Sequence, residues 1–569
     1  MKLVTAVLSA LSSSVCLALI WGLVEGRLTA TCAAFALGAG TLIGAAALRP
    51  NPEAALADPG KRAIGAWDWC AITLFTLFSL RAFLWLIFRA HDEIRVLSPN
   101  NLGDMSLHIT YIRELAGGAR FWPENPIYAG AALTYPLGMD LFNSLLSLLG
   151  VDLIQGLIWV GLLGCLLTGL TLWQSGRSFL ILGFLGNGGF FAWQFFHDGV
   201  LADFQSEQAW KSIPLAIFVT QRGMLFAIPA GLALMHSWRA RFFEKSPGSL
   251  PLWCEVLLYG SMPIFHFHTF LFLSFVLGFW VLICPAQRRA LATLIGAAVL
   301  PATALVWLVT GHFHGTSMLG WQPGWMQGTD NFFVFWGMNF GVLPLFVAAL
   351  CVQLFRQKRA PWAAAITVPA LCVFLICCFV RFAPWAWDNT KLMIWAYLAV
   401  LPPLWSELIV HWPRPVRALS CVLLFFSGVL SMLGGIDNTK HGHPIAQRSE
   451  LDAVQVATQT ISFKERFAAA PTYNHPLLLN GRQLVMGYNG HVHSHGYDWF
   501  SRNEALTTLM NGAPGWTQIA ATLNVRYIFW GHAENEAFPN STQPWTESAV
   551  RVAQGPWGEI YDLSQAKDN

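Results

Sequence analysis

The sequence predicts a polytopic α-helical membrane protein of about 13 transmembrane helices with a small C-terminal α/β soluble domain. Three observations carry this. Of 569 residues, 55% are hydrophobic and 11% charged, where a soluble chain carries roughly a quarter charged residues. Apolar stretches of about 20 residues, the length that crosses a ~30 Å hydrocarbon core, recur between residues 3 and 435. Residues 441–569 break that pattern, with eight Lys and Arg against eleven Asp and Glu.

Spans are expected at 3–24, 29–48, 68–90, 153–173, 178–196, 221–238, 250–263, 267–285, 290–310, 331–355, 362–381, 391–411 and 416–435. The first could pass for a signal peptide, but its length and the span close behind it favour a retained helix. The apolar segment 136–150 is short and carries Asp140 and Asn143, so it is expected at the interface or entering part way. Residues 1–67 thus hold two helices. Residues 68–435 form a transmembrane core with a long first loop at 91–137, and 436–569 form the α/β domain. Within that domain, 477–488 read as strands around a turn, 501–511 as a helix and 524–530 as a strand.

Charge orients the set. Arg49, Lys61 and Arg62, then Arg239, Arg241 and Lys245, Arg288 and Arg289, Arg356, Lys358 and Arg359, and Arg414 and Arg417 all fall on one side if the N-terminus is cytoplasmic. The loops 91–135, 197–220, 311–330 and 382–390 and the C-terminal tail then lie outside. A formal net charge of +3 gives no reason to expect a nucleic acid. The 11 cysteines sit in apolar blocks and read as small buried hydrophobes, not as disulfides or metal pairs.

Five clusters carry candidate chemistry. In the first loop, Gly103-Asp104 opens a helix-like segment with His108 one turn on. Asp104 reads either as an N-cap or as a base beside an imidazole. His266 and His268 stand in an apolar run and are expected to face a cavity, since an unpartnered polar group in a membrane protein is costly. His312 and His314 repeat that spacing in an outer loop. The stretch 383–391 groups Asp388, Asn389 and Lys391 at the outer boundary, the depth of a lipid phosphate. Lys211 and Arg222 run against the positive-inside trend and suggest a basic pocket, or ordinary pairing with Asp203 or Glu207. His491, His493 and His495 alternate, so in a strand they would share one face. They read as a metal site or, by preference, as a polar loop closing over the membrane cavity.

On these residues the chain resembles the GT-C superfamily of membrane glycosyltransferases. The first-loop pattern Gly103-Asp104, His108, Phe121-Trp122-Pro123, Asn125-Pro126 and Tyr135-Pro136 is similar to that family's first external loop. Trp387-Asp388-Asn389-x-Lys391 and the C-terminal domain are similar to later elements of bacterial members. Two spans precede the span that feeds the loop, where the family usually has one, and Gly103-Asp104 has no adjacent second acid. The resemblance implies an inverting enzyme at the outer face of a bacterial inner membrane. It would move a sugar from a polyprenyl-phosphate carrier to a glycan, lipid or protein acceptor. Asp104 would be the general base and His108 its orienting partner. Lys391, Arg222 and Lys211 would hold the phosphate, with Asp388, Asn389, His266, His268 and Tyr135 around the substrate. No cofactor is required by the sequence, and a divalent metal stays an open alternative. Two rival readings remain at this level, a transporter or flippase of lipid-linked sugar and a non-catalytic membrane assembly protein.

Overall fold

The structure, a computed structural model, describes residues 1–49, 64–244, 246, 248–313, 319–357, 361–437 and 441–566. His314 and the basic residues Lys61, Arg62, Lys245, Lys358 and Arg359 lie outside the described residues.

Six described helices are long and apolar enough to cross a membrane: Lys2–Glu25, Ala66–Leu84, Leu153–Leu185, Pro285–Val309, Ala386–His411 and Arg414–Ile436. Four shorter apolar helices accompany them, Ala30–Ala46, Leu252–Phe265, Phe267–Ile283 and Pro361–Cys377. Large side chains such as Trp67, Leu282 and Leu300 are exposed on these helices. Such surfaces suit lipid and would be a liability in water. The first two helices pack closely because small residues face each other. A Cβ on Gly40 would stand 2.1 Å from the Ser14 hydroxyl, and one on Gly44 would stand 2.5 Å from the Ala6 carbonyl oxygen.

Several expected spans differ from the structure, each for a local reason. The segment 68–90 leaves the helix at Leu84, and Ile87–Ala90 pairs as a strand with Glu93–Val96. The segments 153–173 and 178–196 join in one helical stretch, Leu153–Leu185, that breaks at Arg177, where φ is 53° and ψ is −146°. Its end at Leu185 is followed by Gly186, Asn187, Gly188 and Gly189, and Gly188 has φ 157°. The segment 331–355 is not one rod. Phe332–Phe340 and Leu343–Arg356 meet at 84°, with Gly341 at φ 58° between them.

The C-terminal residues build a five-stranded sheet in the order Gln483–Leu484, Arg466–Ala468, Tyr527–Gly531, Gly558–Ala566, Ala549–Gly555. The first three strands run parallel and the last two antiparallel. Tyr527–Gly531 is buried throughout, as an apolar strand covered on both faces should be. Within 477–488 the expected strand pair is instead a helical turn, Pro476–Leu479, and one two-residue strand. Proline at the first helical position favours that turn, and the His475 ring accepts from Leu477 N–H to cap it.

This sheet is joined to the first loop by backbone as well as side chains. His443–Gln447 extends the Ile87–Ala90 and Glu93–Val96 hairpin into a three-stranded sheet. Leu484 and Gly487 donate their N–H groups to Pro126 and Ile127 carbonyls, and Ala129 N–H donates back to Leu484. Gly481, at φ 74°, presses on the 101–116 helix. A Cβ there would lie 2.5 Å from the backbone nitrogen of Glu114.

Candidate active site

The helix Asn101–Ala116 presents the residues at the centre of the site. Its N-cap position is Asn100, so Asp104 sits inside the first turn and is not the cap. No described residue makes a hydrogen bond or ion pair with the Asp104 carboxylate, which lines a cavity of about 670 Å³. The same cavity is walled by Tyr135, Glu207, Lys211, Gln221, His266, His268, Trp385, Trp387, Asp388, Lys391, His491 and His495. These come from the first loop, the 206–211 segment, the break between two apolar helices, the 382–391 segment and the C-terminal unit. Helix packing brings together clusters separated by up to several hundred residues.

His108 does not turn to Asp104. Its Nδ1 lies 2.9 and 3.0 Å from the two carboxylate oxygens of Asp140, and both side chains are buried. The physical reason is packing. The short helix Gly138–Leu148 lies against the 101–116 helix and brings Asp140 up to the His108 ring. A carboxylate on Nδ1 fixes the imidazole's orientation. Sequence reasoning missed Asp140 as a site residue. The signal was there, an acid in a mostly apolar segment, but its partner was not legible.

The two lysines both reach the cavity. The Lys391 ammonium lies 3.1 Å from Asp388, one turn before it. The Lys211 ammonium stands over the Trp387 ring, 5.8 Å from its centre, a contact that favours the cation. Arg222 does not reach the cavity. It is 1% exposed, donates to the Leu157 carbonyl at 3.1 Å, and its Nε and Nη1 have no described partner. Asn389 also drops out. Its carboxamide accepts from Phe382 N–H and donates to the Cys377 and Val380 carbonyls, so it ties the loop together.

His266 and His268 flank the break between Leu252–Phe265 and Phe267–Ile283. His266 Nδ1 accepts from Thr269 N–H and caps the second helix. The Nε2 atoms of both rings are buried without a described partner, on rings that line the cavity.

Of the C-terminal histidines, His491 and His493 lie on a helix, Asn489–Ser494, and His495 caps its C-terminus. His491 and His495 therefore share a face, one turn apart, while His493 points elsewhere and packs edge-on against Trp385. His495 packs at a tilt against Tyr135, ring centres 4.9 Å apart, and reaches the Tyr111 hydroxyl. Burial holds the His495 imidazole down at about 3, with His491, Lys391 and His108 pushing the same way. Burial also lowers His491, opposed by Asp104 and reinforced by His108. Among the described residues no group of three or more His, Cys, Asp or Glu is arranged to hold a metal ion. The three alternating histidines do not fit one, because the helix splits them.

No protein-family model matches the sequence, and no curated protein does. Solved structures of the Archaeoglobus fulgidus oligosaccharyltransferase are similar. The form tethered to an acceptor peptide aligns with TM-score 0.48 and 12% identity, over 88% of this chain and 74% of that one. The apo form gives 0.48 and 11% over the same shares. The form with Zn and sulfate gives 0.45 and 12%, over 87% and 73%.

Proposed function

We propose that the chain is a GT-C-type membrane glycosyltransferase that transfers a sugar from a polyprenyl-phosphate carrier to an acceptor hydroxyl. The observation that carries this is one cavity holding a carboxylate free of partners, Asp104, together with two ammonium groups, Lys211 and Lys391. A base is needed to take the acceptor's proton. Cations are needed to hold the phosphate, which leaves as an anion and needs charge neutralisation more than a proton.

In this reading Asp104 removes the acceptor proton as the acceptor attacks the anomeric carbon. Bond making and breaking on opposite faces inverts that carbon. Lys391 exchanges part of its contact with Asp388 for the phosphate, and Lys211 approaches from the Trp387 side. His266 and His268 offer Nε2 atoms that a substrate oxygen satisfies. Tyr135, held by His495, forms part of the sugar wall. Arg222 does not line the cavity and is left out of the phosphate pocket. The outer face of a bacterial inner membrane, with the N-terminus in the cytoplasm, is the setting the charge pattern favours. The carrier lipid enters from the bilayer, and the acceptor is a glycan, lipid or protein.

The test is Asp104→Asn in the full-length protein reconstituted into nanodiscs. The cavity and fold are retained, and sugar transfer from a panel of polyprenyl-phosphate monosaccharides falls by about 10²–10⁴-fold. Transfer at the wild-type rate sinks the assignment of the base. A wild-type protein that moves the intact lipid-linked sugar across a bilayer, with no transfer, supports the flippase reading instead.

A further inference from the structure

The C-terminal unit places an imidazole against the first turn of the Asp104 helix. His491 Nε2 stands 3.0 Å, and Cε1 3.4 Å, from where a Cβ on Gly103 would be. Gly103 is helical, with no positive φ to explain it, so its missing side chain is room for this ring. Asp104 follows directly and acts on the His491 charge through space. Both side chains line the same cavity. His108, the partner the sequence suggested, is committed to Asp140.

We propose that His491 is the positioning and proton-relay partner of Asp104, so that the site is complete only with the C-terminal unit docked. This rests on the reading of Asp104 as general base. As the acceptor oxygen bonds to the anomeric carbon, the carbon–phosphate oxygen bond breaks and the carrier phosphate leaves with the bonding pair. The acceptor's proton moves to Asp104. His491 Nε2 takes that proton, directly or through one water, and passes it to solvent, which restores the carboxylate for the next turnover. Asp104 and His108 on the 101–116 helix act on the His491 charge; Tyr488 packs edge-on against its ring, His495 follows on the same segment, and Lys391 and Asp388 line the same cavity. Asp104 is the anion that favours the imidazolium, and burial and His108 oppose it.

A substrate-free measurement tests the pairing in the full chain. Histidine C2–H exchange followed by mass spectrometry gives the titration midpoint of His491. In Asp104→Asn the midpoint falls by about one pH unit, the size an adjacent carboxylate contributes. An unmoved midpoint overturns the proposal, whatever the enzyme's reaction is. Gly103→Ala, which displaces the ring by a few tenths of an ångström, reduces the same coupling. In the transfer assay His491→Ala lowers kcat by about 10²-fold with the donor KM kept, and added imidazole restores turnover. Loss without rescue, or a change confined to KM, means a packing role and overturns the relay. Wild-type transfer by Asp104→Asn, with the midpoint shift present, overturns the assignment of the base and leaves the pairing standing.

Discussion

Glu114 tests how the C-terminal unit is held on the helix that carries Asp104. It is fully buried, and its Oε1 accepts from the Gln483 amide at 3.2 Å, while Oε2 has no described partner. Burial pushes its carboxyl well above the usual 4.5, with Glu124 adding to this and the Gln483 bond opposing it. A folded value above the unfolded one means that the docked state holds the proton more tightly. Docking is therefore strongest at low pH and weakens as pH rises from about 4.5 towards the folded value. Glu114→Gln keeps the shape and the acceptor without the ionisable group. It should cost less than about 1 kcal/mol and remove this part of the pH dependence. Glu114→Ala leaves the Gln483 amide buried and unpaired, at about 1–3 kcal/mol. It also loses a buried methylene, at about 0.8 kcal/mol. A total of about 2–4 kcal/mol raises opening of the interface about 30- to 700-fold, at tenfold per 1.4 kcal/mol. Amide hydrogen exchange at Leu484 and Gly487, both bonded to the first loop, reads this directly. Equal exchange in Glu114→Gln and Glu114→Ala, or no rise in either, would refute the argument.

Asp140→Ala should leave the buried His108 Nδ1 without a partner and lower stability by about 1–3 kcal/mol, seen as a lower apparent Tm in detergent. His108→Phe in the same background should recover much of that loss, since it removes the orphaned nitrogen. Reporter fusions after residue 240 and at residue 569 should mark opposite faces of the membrane, and a shared face would break the assigned orientation.

Much of the site could be read along the chain because its members are costly where they stand. Lys391 beside Asp388, two histidines in an apolar run and Asp104 at the mouth of the first loop are each anomalous against their local hydropathy. The structure brings them to one cavity. What could not be read was which of them pair. Asp104 and His108 are one helical turn apart, and that spacing offered a dyad. The nearer carboxylate in space is Asp140, 32 residues on. Lys211 and Arg222 looked alike as basic residues against the charge trend. One reaches the cavity and the other is enclosed beside the Leu157 carbonyl. The alternation of His491, His493 and His495 would share one face only in a strand, and the loop expected there is instead a six-residue helix, Asn489–Ser494, that separates their faces.

By itself the sequence marked where the chain is apolar and helical and where it turns polar, but not how many of about 13 expected spans are long helices, since six described ones are. Those follow from composition over windows of about 20 residues, because transfer of each segment into hydrocarbon is a local free energy. The breaks at Arg177 and Gly341 and the docking of the C-terminal sheet on the first loop were decided by tertiary structure, as was the seat of His491 on Gly103. Each of those is a contact between residues far apart in sequence. Close packing selects it from many pairings that hydropathy leaves equal.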